Sequence, residues 1–405
     1  METFRRLAES QGTTIGCTNT ATFLVHETGQ LYACGYNEFG QLGLGGSDNR
    51  SMMTRVPLKK SVKTVVIGYN FTYVTTVSGE LYTCGYNGFG QLGLGDEQDR
   101  STLTRVPLEE EVKMVVVDSY YTFVLTVSGV LYACGANSYG QLGLGDSENR
   151  STLQRVPVDE SVKTVVTDDG VSFAITTSGA LYTCGYDYFD QLRGEDSSNR
   201  LFLRRVPLEE RAMTIVIRSS SVYVITVSGV LYAYGNNQRG QLGLGDSRDR
   251  SKMTKVPVEE SVEMVVTGGS FIHVLTVSGA LYTCGSNGLG DSRHRPALTR
   301  VPLDESVKTI RTGDYSTFII TVSGALYACG YNGSGQLGLG DSRNRTALTM
   351  VPLEERVKTV DTDSYSVLVL GDSGVLYVCG NNVYGQLGLG DQEERNVFTA
   401  LPELG

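Results

Sequence analysis

The sequence predicts an all-β fold, a closed β-propeller assembled from eight copies of one supersecondary unit. Three observations carry this reading. First, the string G-x-L-Y begins at Gly29, Gly79, Gly129, Gly179, Gly229, Gly279, Gly324 and Gly374, and six of the seven intervals are 50 residues. A fixed period of that size marks units that bury their apolar faces only by stacking on one another. Second, each copy holds four short stretches rich in β-branched and aromatic residues, separated by turn residues. Third, eight of the nine prolines, from Pro57 to Pro402, fall at one place in the repeat.

The second copy shows the elements in order. Val62 to Ile67 (VKTVVI), Phe71 to Val77 (FTYVTTV), Leu81 to Gly85 (LYTCG) and Thr102 to Val106 (TLTRV) read as strands A, B, C and D. Val, Ile, Thr and Tyr suit a pleated, half-buried surface, and no stretch has helical periodicity. Four strands and their turns fill about 50 residues, the size of a propeller blade. Proline cannot donate to a sheet ladder, so the proline after strand D makes D the outer edge of each blade. Gly40, Gly43 and Gly45 of GQLGLG permit tight turns. A phosphate cradle would need a following helix and usually a Lys, and neither is found. Two copies depart from the pattern. The fourth has QLRGED from Gln191, and the sixth (Gly285 to Asp291, GSNGLGD) lacks about five residues of the xGQLG segment. The expected organisation is one propeller domain over residues 1–405.

Composition narrows the function. The chain has 405 residues, a net charge of −10 and no Trp. An acidic chain without a basic tail is poorly suited to phosphate backbones, so direct nucleic-acid binding is not expected. No stretch approaches the roughly 18 apolar residues of a membrane helix. Residues 1–12 (METFRRLAESQG) lack the apolar core of a secretory signal. An intracellular protein, cytoplasmic or nuclear, is expected, either monomeric or part of a complex. Seven of the eight cysteines share the LYxCG position. Equivalent positions in successive blades are too far apart for disulfides, so they read as small buried apolar residues in a reducing compartment.

The words SGELYTCGYNGFGQLGLGD (Ser78 to Asp96) and SGVLYACGANSYGQLGLGD (Ser128 to Asp146) resemble the repeat of the regulator of chromosome condensation family. The resemblance covers nearly the whole chain. It implies a propeller, normally of seven blades; eight complete copies favour eight, the alternative being seven with one copy displaced. The family often has Trp where this chain has Cys34 and its equivalents, and its His after strand A is mostly missing here. Its members include an exchange factor for the small GTPase Ran, a plant ultraviolet photoreceptor, modules of giant ubiquitin ligases and a bacterial β-lactamase inhibitor. The photoreceptor depends on Trp clusters, which this chain lacks. No residues beyond the repeats remain for a ligase domain.

In an up-and-down blade the A–B turn and the C–D loop share one face, and here that face varies between copies. Its A–B turns carry Tyr69, Asn70, Tyr120, Asp168, Asp169, Arg218, Asp314, Tyr315 and Tyr365. Its C–D loops carry Tyr36, Phe39, Tyr86, Phe89, Tyr139, Tyr186, Tyr188, Arg239 and Tyr384. Tyr and Arg are the residue types that dominate binding hot spots, and these eighteen residues form the expected partner-binding face. The competing reading is drift in weakly constrained loops, with Tyr packing on neighbouring loops. The opposite face is acidic, with pairs such as Glu109-Glu110 and Glu259-Glu260; it reads either as solvated loops or as a receptor for a basic tail. A recurrent Arg, with an acid four residues earlier in most copies, reads as a loop clamp.

Catalytic signatures are missing. His26, His273 and His294 have no metal-ligand spacing, and no nucleophile elbow, P-loop or dinucleotide fingerprint occurs in context. No metal, cofactor or catalytic residue is expected. The expected function is a non-enzymatic protein-interaction scaffold whose partner is a protein of unknown identity. The alternatives are guanine nucleotide exchange on a Ran-type small GTPase, by family analogy, and an enzyme inhibitor or a structural component of a large assembly.

Overall fold

The computed structural model describes residues 5–6, 14–18, 20–186, 200–286, 289 and 293–402. They form eight antiparallel sheets, each built on four consecutive strands, in an eight-bladed β-propeller. Every sequence copy becomes one complete blade, so the seven-bladed alternative falls away. In blade 2, strands A to D span Val62–Ile67, Phe71–Thr76, Leu81–Gly85 and Arg100–Arg105. Strand D starts two residues before the expected Thr102, because Arg100 pairs with Gly85 across a register shift. No helix among the described residues is long and apolar enough to cross a membrane.

Burial follows position in the blade. The A strands of successive blades pack on one another and surround the axis. Strand B is buried along its whole length in blade 2, whereas strand D is half exposed. Pro57, just after strand D, is exposed, as expected for an outer edge. Near the N-terminus, residues 5–6 pair with strand A of blade 2, Arg5 opposite Ile67 and Arg6 opposite Val66.

The blades are joined by their C–D loops. In blade 2 the buried Asn87 folds the loop: its amide nitrogen donates to the Asp96 carbonyl (2.8 Å) and its oxygen accepts from the Leu92 N–H (2.9 Å). The loop then reaches the next blade, where Leu94 bridges Thr152 and the Gly95 N–H donates to the Ser151 carbonyl (2.8 Å). Deeper in the seam, the Gln91 carbonyl accepts from Tyr73, Thr122 and the Cys134 thiol. The ring closes in the same way between blades 8 and 1, through Leu389 with Met52, Gly390 N–H with the Ser51 carbonyl (2.8 Å), and Cys34 with the Gln386 carbonyl (3.4 Å). The repeat cysteines are therefore more than small apolar fillers. All eight cysteines are buried outside disulfides, and Cys34, Cys84, Cys134, Cys184, Cys284 and Cys379 donate to a Gln carbonyl of the preceding blade. Burial pushes the Cys134 thiol up to about 12.

The two irregular copies show compensation. The sixth copy has no loop Gln to accept from Thr317 of blade 7. His273 of blade 6 takes that place, with Nε2 3.0 Å from the Thr317 hydroxyl. His26 lies just beyond strand B of blade 1, in the B–C turn, not within the strand, and its Nδ1 meets Thr28 (2.8 Å). The fourth copy's loop, including QLRGED, lies outside the described residues. The residue it would face in the regular pattern is also changed: Tyr234 of blade 5 stands at the Cys position.

On the acidic face the second acid of each pair is largely committed. Glu110 accepts from Ser128 (2.8 Å) and Tyr132 (2.5 Å), and Glu355 from Ser373 and Tyr377. In blade 2 the charge is reversed, with Lys60 meeting Glu80 at 2.9 Å. These groups staple the B–C turns, so the solvated-loop reading describes the first acid of each pair better than the second. The recurrent Arg is a loop clamp, as expected: Arg100 meets Asp96 at 2.6 Å and Arg250 meets Asp246 at 2.9 Å.

Candidate protein-interaction face

The A–B turns and C–D loops do share a face, and one glycine shows why they touch. Gly85, at the end of strand C, has φ +103°, and a Cβ there would lie 2.3 Å from the Asn70 carbonyl oxygen. The bare backbone lets the Tyr86 N–H donate to that same carbonyl at 2.8 Å. The start of each C–D loop is thereby tied to the A–B turn of its own blade, and the side chains of both stand on one surface.

Six of the expected residues form a continuous aromatic arc across blades 8, 1, 2 and 3. Its ring centroids are separated by 5.1 Å (Tyr384–Tyr36), 6.4 Å (Tyr36–Phe39), 5.4 Å (Phe39–Tyr86), 6.3 Å (Tyr86–Phe89) and 4.9 Å (Phe89–Tyr120). Edge-to-face and tilted pairs at these distances are favourable contacts. Tyr36 donates to Glu38 at 2.5 Å, and partial desolvation together with that carboxylate pushes its phenol up to about 12. The arc stops where Ala136 replaces the aromatic residue that opens the loop in blades 1 and 2. Beyond the gap, Tyr139 and Tyr186 pair at 5.0 Å, and Tyr139 is 47% exposed.

A polar belt formed by the ends of the A strands and the A–B turns lines the axial mouth on this face. Arg218 of blade 5 is 7% exposed and forms an ion pair with Asp314 of blade 7, which also accepts from Ser364 of blade 8 at 2.6 Å. This strut passes over blade 6, whose turn is Gly268-Gly269; the Gly269 N–H donates to the Asp314 carbonyl at 3.0 Å. Asp168 of blade 4 lies next to Arg218 on this belt, and Asp118 of blade 3 next to Asp168. Burial raises Asp118 despite its bonds from Tyr121 (3.0 Å) and the Ser119 N–H (2.5 Å). Burial, then the charge of Asp118, pushes Asp168 up to about 6, with Arg218 opposing. No group of three or more His, Cys, Asp or Glu side chains suited to a metal occurs among the described residues.

Residues 131–405 match the model of the RCC1-like domain, and residues 28–75 and 78–125 match that of the regulator of chromosome condensation (RCC1) repeat. The chain belongs to the RCC1-like family. Human WBSCR16 is similar in fold, with a TM-score of 0.64 at 18% identity over 80% of this chain and 94% of its own. Yeast RCC1 (Prp20), crystallised bound to Kap60, has a TM-score of 0.60 at 19% identity over 80% of this chain and 84% of its own. A second structure of Prp20p from Saccharomyces cerevisiae, titled with its binding to Gsp1p and histones, has a TM-score of 0.60 at 19% identity over 80% of this chain and 86% of its own.

On this RCC1-like propeller the remaining expected residues are scattered. Tyr69 is 49% exposed beside the arc, and Asn70 serves through its backbone carbonyl. Tyr315 is exposed, Tyr365 meets Tyr331 at 6.3 Å, and Arg239 is exposed in its loop. Asp169 is exposed in the turn of blade 4. Tyr188 lies outside the described residues. Sequence reasoning missed Tyr331, although it occupies the same repeat position as Tyr36 and Tyr86. It also missed Asp118; a charged residue where blades 2 and 6 carry Gly68 and Gly268 was the available signal.

Proposed function

We propose that this RCC1-like propeller is a non-enzymatic protein-interaction platform that engages its partner through the aromatic arc. One observation supports this over simple loop packing. The seam between blades 5 and 6 has the full clasp, Leu244 bridging Ala297 and Gly245 N–H donating to the Pro296 carbonyl at 2.8 Å. It does so with Asn236 and Arg239 at the positions of Tyr36 and Phe39. The clasp forms without aromatic residues there, so the rings of the arc serve something other than the seam. Tyr is a residue type that anchors interfaces, and along the arc Tyr120 is exposed while Tyr36, Phe39, Tyr86, Phe89 and Tyr384 are half-buried. The test is a variant with Tyr36, Tyr86, Phe89 and Tyr120 changed to Ala. Its circular dichroism should stay native, and cross-linking mass spectrometry should show loss of the partners captured by the parent chain. Retention of the same partners rejects the reading.

A second reading, nucleotide exchange on a small GTPase, draws on family membership and on the likeness to Prp20, whose structure is titled with Gsp1p binding. Release of labelled GDP from Ran-type GTPases of the source organism decides it; unchanged release rates reject it.

A further inference from the structure

The two halves of the interaction face differ in charge as well as in aromatic content. The C–D loops of the arc blades, residues 36–49, 86–99, 136–149 and 381–394, contain Asp and Glu and no Lys, Arg or His. The loops at 236–249 and 331–344 contain Arg239, Arg248 and Arg343. Asp96, Asp146 and Asp391 are committed to the clamp arginines Arg100, Arg150 and Arg395. Glu38, Glu97 and Glu394 are exposed in these loops, and Glu38 accepts from the arc residue Tyr36. At the inner end of the arc, Asp118 shares a turn with Tyr120, and Asp168 and Asp169 occupy the next turn, while Arg218, the belt's cation, is committed to Asp314. Aromatic rings accompanied by exposed carboxylates such as Glu38 and Asp169 suit a guanidinium, which stacks on ring faces and donates in its own plane. Alternate side chains of an extended segment are about 7 Å apart, close to the ring spacings of 4.9–6.4 Å.

We propose that the arc half of this face docks an extended basic segment of a partner polypeptide, with arginine side chains lying on Tyr86, Phe89 and Tyr120 and reaching the carboxylates of the axial mouth. This rests on the interaction-face reading and gives it a partner chemistry. The charge of the surface steers such a segment on approach and sets its register once bound.

The probe is a fluorescein-labelled nine-residue peptide alternating Arg and Thr, with a second peptide carrying neutral citrulline for each Arg. Fluorescence anisotropy with the full chain should show binding of the first and at least about ten-fold weaker binding of the second, in line with loss of a cation–π and charge-assisted contact at several sites. Tyr86→Ala with Tyr120→Ala should weaken the Arg peptide by about ten-fold, whereas Tyr86→Phe with Tyr120→Phe should bind like the parent. Glu109→Lys with Glu259→Lys on the opposite face should also bind like the parent. Equal binding of the citrulline peptide, or an equal loss in the opposite-face variant, overturns the proposal. The outcomes also separate this inference from the platform reading. A natural partner lost with the four-residue Ala variant but not displaced by excess Arg peptide overturns the basic-segment inference alone. A partner retained by that variant overturns the platform reading and, with it, this inference.

Discussion

Blades 8, 1, 2 and 3 and blades 4 to 7 are built on one repeat, yet their loop faces differ. The first group has regular clasped seams and carries the continuous aromatic arc with acid-only loops. The second contains both irregular copies, arginine-bearing loops, and the buried strut from Arg218 to Asp314 over the Gly268-Gly269 turn. The contrast teaches that scaffold and surface vary independently. The seam from blade 5 to 6 keeps the clasp without the aromatics, and His273 of blade 6 meets Thr317 of blade 7 beside the shortened loop. Where the repeat is most regular, the sequence is left room to specialise the loop tips.

The largest expected effect lies in the irregular half. Arg218→Ala leaves the part-buried Asp314 without its ion-pair partner and should cost about 3–5 kcal/mol, as does breaking other buried pairs. Urea denaturation measures it, and restoration of stability by adding Asp314→Asn would tie the loss to the pair. A cost below about 1 kcal/mol would mean that the strut bears little load. Next is Asn87→Ala, which leaves the Leu92 N–H and the Asp96 carbonyl without their partners in a buried loop; the expected loss is about 2–4 kcal/mol. Asn237→Ala in blade 5 should cost the same, because its loop makes the same bonds. Unequal losses would break the claim that scaffold and surface vary independently.

A smaller, pH-dependent effect is expected at Asp168. Its carboxyl is pushed from the ordinary 3.8 to about 6 in the fold, so the folded state holds the proton more tightly than the unfolded chain. The group's contribution to stability therefore falls as pH rises through about 4 to 6 and is flat above. Asp168→Asn should match the parent near pH 4 and exceed it by about 1–2 kcal/mol at pH 7, a figure reduced from the full linkage value for the carboxyl's partial solvent access. Thermal melts across that range check it, and a gain at pH 4 equal to that at pH 7 would contradict it. The smallest effect concerns Ser219 and Ser220, whose φ values of 49° and 60° place both in the left-handed region. Asn-Gly suits that two-residue turn better, so Ser219→Asn with Ser220→Gly should raise stability by about 1 kcal/mol.

Most of the fold was legible in the sequence because it is written eight times. The G-x-L-Y period, the prolines after strand D and the Arg–Asp clamp each corresponded to a feature of the blade. The face assignment followed from strand order alone. What was not legible depends on contacts between copies. The thiols of LYxCG looked like small apolar groups because their acceptor, a Gln carbonyl, belongs to another blade. Asp168 and Asp169 are neighbouring acids that the sequence does not distinguish, yet in the turn Asp168 is half-buried and Asp169 exposed. The strut could not be read at all, since Arg218 and Asp314 are separated by a full intervening blade.

The most direct test of the central claim is ¹⁹F NMR of the full chain labelled with 3-fluorotyrosine, with resonances assigned by single Tyr→Phe variants and titrated with the Arg–Thr peptide. The account predicts shifts for Tyr86 and Tyr120 in the arc and unchanged resonances for Tyr315 and Tyr331 in blade 7. Shifts confined to Tyr315 and Tyr331, or spread evenly over the face, would contradict it.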